Sequence, residues 1–131
     1  MSWSIQQSGD RSDMLNDGAL VALICLLEDE VARTPDGFAA LRVVIEGWQV
    51  GIAKSGPGTI DLRLDETLPT RTERTELAAL LQVVEQSLAG SPTISGASLN
   101  RRVRDGSTFH EEYPASHVVE AMNQLRKLLE L

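Results

Sequence analysis

Ala19-Leu20-Val21-Ala22-Leu23-Ile24-Cys25-Leu26-Leu27 is the stretch on which the fold turns: nine consecutive apolar residues with no charge, glycine or proline among them. A membrane-spanning helix needs roughly 20 apolar residues, so the run is too short to cross a bilayer and reads as a buried segment. Its flanks decide between helix and strand. Ser12 and Asp13 are good N-caps, Leu15 opens an apolar pattern, and Glu28-Asp29-Glu30-Val31-Ala32-Arg33 prolongs it up to Pro35. A helix from Asp13 to Arg33 would be roughly 30 Å long at about 1.5 Å per residue, enough to cross a small domain. Cys25 lies inside the run and reads as a packed core residue, because a reactive thiolate needs an electropositive, partly exposed setting.

The rest of the chain is arranged around that helix. Upstream, Trp3, Ile5 and Gln7 alternate with Ser2, Ser4 and Gln6 until Ser8-Gly9-Asp10, a first strand and a turn. Downstream, Phe38, Leu41, Ile45, Trp48 and Ile52 recur at helical spacing and predict a second helix ending near Gln49. The β-branched Val43-Val44-Ile45 and the interruptions at Gly47 and Gly51 leave a bulged strand as the competing reading. Thr59 to Leu64 alternates Ile60, Leu62 and Leu64 against Asp61 and Arg63, as a strand with one buried face does. Thr70-Arg71-Thr72-Glu73 is a capping box. Behind it Leu77, Leu80, Leu81, Val84 and Leu88 form a helical stripe, with Arg74, Gln82, Glu85 and Gln86 expected on the outer face. From Ile94, the alternation of Leu99, Arg101 and Val103, the turn Asp105-Gly106 and the return Thr108 to Tyr113 predict a hairpin. Pro114-Ala115-Ser116 opens a closing helix with apolar Val118, Met122, Leu125 and Leu129. The expected order is strand, helix, helix, strand, helix, hairpin, helix: a single α+β domain, a small mainly antiparallel sheet with helices packed on it.

Charge narrows the partners. The 131 residues hold 12 basic and 19 acidic side chains, for a net charge of −7. That balance argues against direct nucleic-acid binding and against anionic membranes. The acid is concentrated in residues 1–65, with ten Asp or Glu against five Lys or Arg, which serves solubility alone or complements a basic partner. One cysteine excludes an internal disulfide, and the N-terminus lacks the basic and apolar regions of a signal peptide, so the cytoplasm is the expected location.

No pattern supports catalysis. His110-Glu111 begins a zinc signature, but Pro114 stands where the second histidine belongs. Lys54-Ser55-Gly56-Pro57-Gly58 has its lysine on the wrong side of the glycines for a phosphate loop. Ser95-Gly96-Ala97-Ser98 lacks the second glycine of a nucleophile elbow. We therefore expect no enzyme, no cofactor and no metal. Arg101-Arg102 with Arg104, Phe109 and Tyr113 forms a basic and aromatic cluster, a composition frequent in protein-binding surfaces.

With the elements placed, the chain resembles the immunity protein 70 family of bacterial polymorphic-toxin systems. The resemblance rests on the first strand and helix, on Phe38-Ala39-Ala40-Leu41 running to Trp48-Gln49-Val50-Gly51, on a helix opening with Glu76-Leu77, on a hairpin carrying Phe109, and on the closing helix. This chain has Pro35-Asp36-Gly37-Phe38-Ala39 and Ser91-Pro92-Thr93 where that family has tryptophan-containing motifs. The resemblance implies a non-catalytic inhibitor that neutralises a cognate toxin domain, many such toxins being nucleases with basic clefts. An acidic inhibitor gains electrostatic steering toward such a cleft. The expected contact set is Glu28, Asp29, Glu30, Asp61 and Asp65, with Arg102 and Phe109 as a second patch. The alternatives are an adaptor module, homodimeric through its open sheet face, and a small ligand-binding domain.

Overall fold

The structure is a computed structural model and describes residues 2–34, 36–103, 109 and 111–130. Its first element is a hairpin of β1 (Trp3–Ser8) and β2 (Arg11–Asn16), closed by Gly9 and Asp10. Gly9 sits at φ +60°, which a two-residue hairpin turn beginning with glycine requires. Residues 11–16 were expected partly as a helix start. Pairing with β1 holds them extended, so α1 (Asp17–Arg33) begins four residues later than its pattern suggested. Its cap is Asn16, whose side chain accepts from the Ala19 N–H at 3.0 Å, not Ser12 or Asp13.

The second helix, α2 (Ala39–Lys54), rules out the bulged strand and runs five residues past its expected end. The expected strand from Thr59 to Leu64 has no ladder of its own. Its alternation holds, with Ile60, Leu62 and Leu64 buried and Asp61 and Arg63 exposed, but its backbone is read by side chains. Gln6 Nε2 donates to the Ile60 carbonyl at 2.7 Å and Gln6 Oε1 accepts from the Leu62 N–H at 2.9 Å. Ser4 Oγ accepts from the Ile60 N–H at 3.1 Å, and the Trp48 indole donates to the Leu62 carbonyl at 2.8 Å. A primary amide has the donor and acceptor of a peptide unit, so Gln6 and Ser4 do here what a third strand would do. The short α3 (Leu64–Thr67) follows.

Helix α4 (Arg71–Leu88) is capped by Thr70, as its capping box predicts. Arg74, expected on its solvent face, is buried instead. Its guanidinium donates to the Leu68 carbonyl, to Ser8 Oγ at 2.7 Å and to Asp65 at 2.9 Å, and those three acceptors offset its desolvation.

The outgoing strand of the predicted hairpin, from Ile94, is largely replaced. Among the described residues of this segment only β3 (Thr93–Ile94) and β4 (Tyr113–Pro114) pair, antiparallel, and between them Gly96–Asn100 forms the short helix α5. Ser95 caps that helix, accepting from the Ser98 N–H. Gly96 lies so close to the Phe109 and Glu111 carbonyls that a Cβ would stand 2.6 Å from the first and overlap the second. The Asp105-Gly106 turn, Arg104 and His110 lie outside the described residues. The closing helix is α6 (Ala115–Leu129).

The class is α+β, with two separate two-stranded ribbons in place of one sheet among the described residues. Helix α1 is central: Leu20, Leu23, Ile24 and Leu27 meet the buried stripes of α2 (Leu41, Ile45, Trp48, Ile52), α4 (Leu77, Leu80, Leu81, Val84) and α6 (Val118, Met122, Leu125). Among the described residues no helix is long and apolar enough to cross a membrane.

Candidate functional site

The hairpin is built inside out. Alternation along β1 and β2 sends Ser4, Gln6 and Ser8 toward the core, where they are 0–3% exposed, and turns Trp3 (43% exposed), Ile5 (60%) and Met14 (50%) outward. The register places Ile5 directly opposite Met14, and Trp3 lies two residues from Ile5 on the same face. Neighbours so placed touch across an antiparallel pair. Burying a large apolar side chain fully gains roughly 1.5–3 kcal/mol. This chain gives that gain up at three adjacent positions, while its inner face carries, beside the buried Leu15, three polar groups that each need a partner. Scattered exposed apolar residues are ordinary, whereas apolar residues grouped on one face make a candidate contact surface.

Several interactions hold that face in register. Asp65 accepts from the Gly9 N–H at 2.9 Å, from Arg74 at 2.9 Å and from Ser8 Oγ at 3.4 Å, anchoring the turn. The Gly9 amide is the main reason that the Asp65 carboxyl lies below its ordinary value of 3.8; the Arg74 guanidinium adds to the effect, and partial desolvation opposes it. On the other side, Gln124 donates to the Met14 carbonyl at 3.0 Å, and Arg11 reaches the carbonyls of Lys127 and Glu130 at the end of α6.

Beside the face runs a groove of about 610 Å³ between the hairpin and α6. Trp3, Asn16 and Asp17 line one wall, Tyr113, His117, Glu120 and Gln124 the other, and Ala19 and Ala121 contribute apolar surface. Phe109, Tyr113 and His117 stand edge to face in succession, with ring centroids 5.2 and 5.7 Å apart. Burial pushes the Tyr113 phenol above its ordinary value of 10.0.

The residues expected to bind a partner are divided among several places. Glu28 and Asp29 face Arg102 at 3.5 and 3.3 Å, and Glu30 faces Arg33 at 2.6 Å. The acidic triplet and the arginine assigned to a second patch are thus one ion-paired cluster. It also includes the buried Gln49, whose amide donates to Glu28 and to the Arg102 carbonyl. Asp61 is exposed and accepts from the Arg63 N–H, a local turn contact. Asp65 is the anchor of the hairpin turn. Phe109 is half-buried, held by paired bonds between its backbone and the Asn100 amide. Reversing the charge of the triplet would therefore break contacts to Arg102 and Arg33 before it affected a partner. Cys25 is buried, as its sequence context indicates. Among the described residues no three His, Cys, Asp or Glu converge to hold a metal.

Trp3, Ile5 and Met14 were missing from the expected set, and the signal for them was Gly9-Asp10. A Gly-Asp pair between two runs of strand length is a hairpin turn, and the hairpin turn fixes the register that sets Ile5 against Met14. No protein-family model, no characterised protein and no solved structure matches the chain.

Proposed function

We propose that this chain is a non-catalytic protein-binding inhibitor that docks its partner through the outer face of the N-terminal hairpin. The single observation carrying this reading is the outward set Trp3, Ile5 and Met14 on a ribbon whose Ser4, Gln6 and Ser8 are turned inward and bonded. Such a partner has an apolar centre to cover the three side chains. It has basic surroundings to match Asp10 at the turn, Asp17 and Glu120 beside the groove, and the overall charge of −7. The resemblance to toxin-neutralising immunity proteins names a fitting partner class: a toxin domain, with a basic-clefted nuclease as the natural case, held in the cytoplasm of the producing cell.

The test is co-expression with the toxin encoded beside this chain's gene. The native chain restores growth and co-purifies with the toxin, whereas Ile5→Lys with Met14→Lys does neither while keeping its fold. Failure of the native chain to restore growth, with no complex formed, overturns the inhibitor reading. A double variant that still protects removes the hairpin face from it.

A second reading, self-association, has one observation in its favour. Helix α2 presents Val43 (76% exposed) and Val50 (42%) to solvent, and the space beside Gly47 and Gly51 is open. Sedimentation at rising concentration tests it: a constant monomer mass leaves α2 without a copy to bind.

A further inference from the structure

We infer that the groove between the N-terminal hairpin and α6 receives an arginine side chain from the docked protein. The inference rests on the docking reading above, since the groove opens beside the Trp3 end of that face.

Four features of the groove carry it. The first is charge: its lining includes the carboxylates of Asp17 and Glu120 and no lysine or arginine. Glu120 is exposed and makes no ion pair with any described residue, so its charge is available to a ligand. Asp17 is already an acceptor for the Ser4 hydroxyl and for the Gly58 N–H at 2.8 Å, and it stands at the positive end of α1, so the charge a ligand meets is chiefly that of Glu120. The second is aromatic surface. Trp3 and Tyr113 line the groove, and a guanidinium is attracted to aromatic faces by about 0.5–2 kcal/mol, depending on how far it is desolvated.

The third is unused hydrogen-bonding capacity. Tyr113 is half-buried and its hydroxyl makes no hydrogen bond to any described residue, so its oxygen is open to accept from a ligand N–H. Gly18 sits against it: a Cβ there would stand 3.4 Å from Tyr113 Oη and 3.2 Å from Asn16 Oδ1. The absence of a side chain at the first turn of α1 therefore keeps this end of the groove open. The fourth is size, since about 610 Å³ falls within the roughly 300–1,000 Å³ of small-ligand sites. A planar cation on an aliphatic stem, with several donors, meets all four. An ammonium meets the charge but not the planar stacking.

The experiment uses the full chain, 15N-labelled, titrated with N-acetylarginine methylamide and, separately, with the citrulline analogue, its neutral urea counterpart. The arginine probe shifts the Trp3 indole N–H and the Gly18 and Glu120 amides, while the indole of Trp48, buried against Leu62, stays in place. The citrulline probe binds about tenfold more weakly, and Glu120→Gln weakens the arginine probe about fivefold, as expected for an aromatic-lined cation site. Equal shifts with both probes, or no shift at Trp3, overturn the inference. Because no partner is present, the two readings fail separately. A silent groove in a chain whose Ile5→Lys, Met14→Lys variant loses its toxin removes the arginine site alone. A responsive groove in a chain whose double variant keeps its toxin removes the docking face alone.

Discussion

Helix α1 and the hairpin before it adjoin in sequence and enter the core by opposite means. The helix inserts Ala19 to Leu27, all buried except the half-buried Leu26, and these side chains need only fit. The hairpin inserts Ser4, Gln6 and Ser8, which are as deeply buried but must each find a bonded partner: Ile60 and Asp17, Ile60 and Leu62, and Arg74 with Asp65. Apolar burial is non-directional and tolerates small shifts, whereas buried polar groups bind only in one register. The helix therefore supplies the centre of the apolar core, and the hairpin supplies the position of its own outer face.

The first way to break the comparison is in the helix. Leu23→Ala, at a site with no exposure, should cost about 2–5 kcal/mol, read as a lower urea midpoint at unchanged m-value. A loss well under that range would mean that α1 is not the centre of the core. The sharper test is Gln6→Leu. If hydrophobicity governed the inner face of the hairpin, this exchange would stabilise. Because it strands the Ile60 carbonyl and the Leu62 N–H, we expect a loss of about 1–3 kcal/mol in the same assay.

A smaller effect appears only in acid. The Asp65 carboxyl is lowered in the folded chain, so its contribution is complete above the ordinary value of 3.8 and is lost as pH falls below it, through the lowered folded value. Asp65→Asn should therefore flatten this part of the acid unfolding curve and change nothing between pH 6 and 8 beyond a constant offset. The smallest expected effect belongs to the outer face. Ile5→Lys with Met14→Lys should shift stability by only about 0.5 kcal/mol or less per site, because neither side chain is inside. A large loss would show that the face packs against the chain itself.

The sequence made the long helices legible because each is long enough for period 3.6 to repeat: α1, α2, α4 and α6 stand where their stripes predicted, with ends moved by a few residues. Short elements were not legible. Five residues of α5 show no period, so the alternation of Leu99, Arg101 and Val103 read as a strand, although Ser95 was there as a cap. The strand-like pattern of residues 59–64 was read correctly for burial and wrongly for pairing, because nothing local says that a glutamine over 50 residues away will take the place of a strand. The site was the least legible part. Alternation divides Trp3 and Ile5 from Ser4 and Gln6 but does not say which set faces inward. Nor does it say that Glu28 and Asp29 meet Arg102, more than 70 residues on.

The outward face of Trp3, Ile5 and Met14 also has a colloidal consequence. A chain that shows three adjacent apolar side chains to solvent is sticky toward its own copies, and what opposes that contact is the repulsion of like-charged molecules carrying −7 each. That repulsion is long-ranged in dilute salt, shrinks within a shorter Debye length as salt rises, and vanishes near the isoelectric point of about 4.7. The acidity of this chain is thus a condition of its solubility, and shelf life should fall as salt rises or as pH approaches that point, with Ile5 and Met14 at the points of contact.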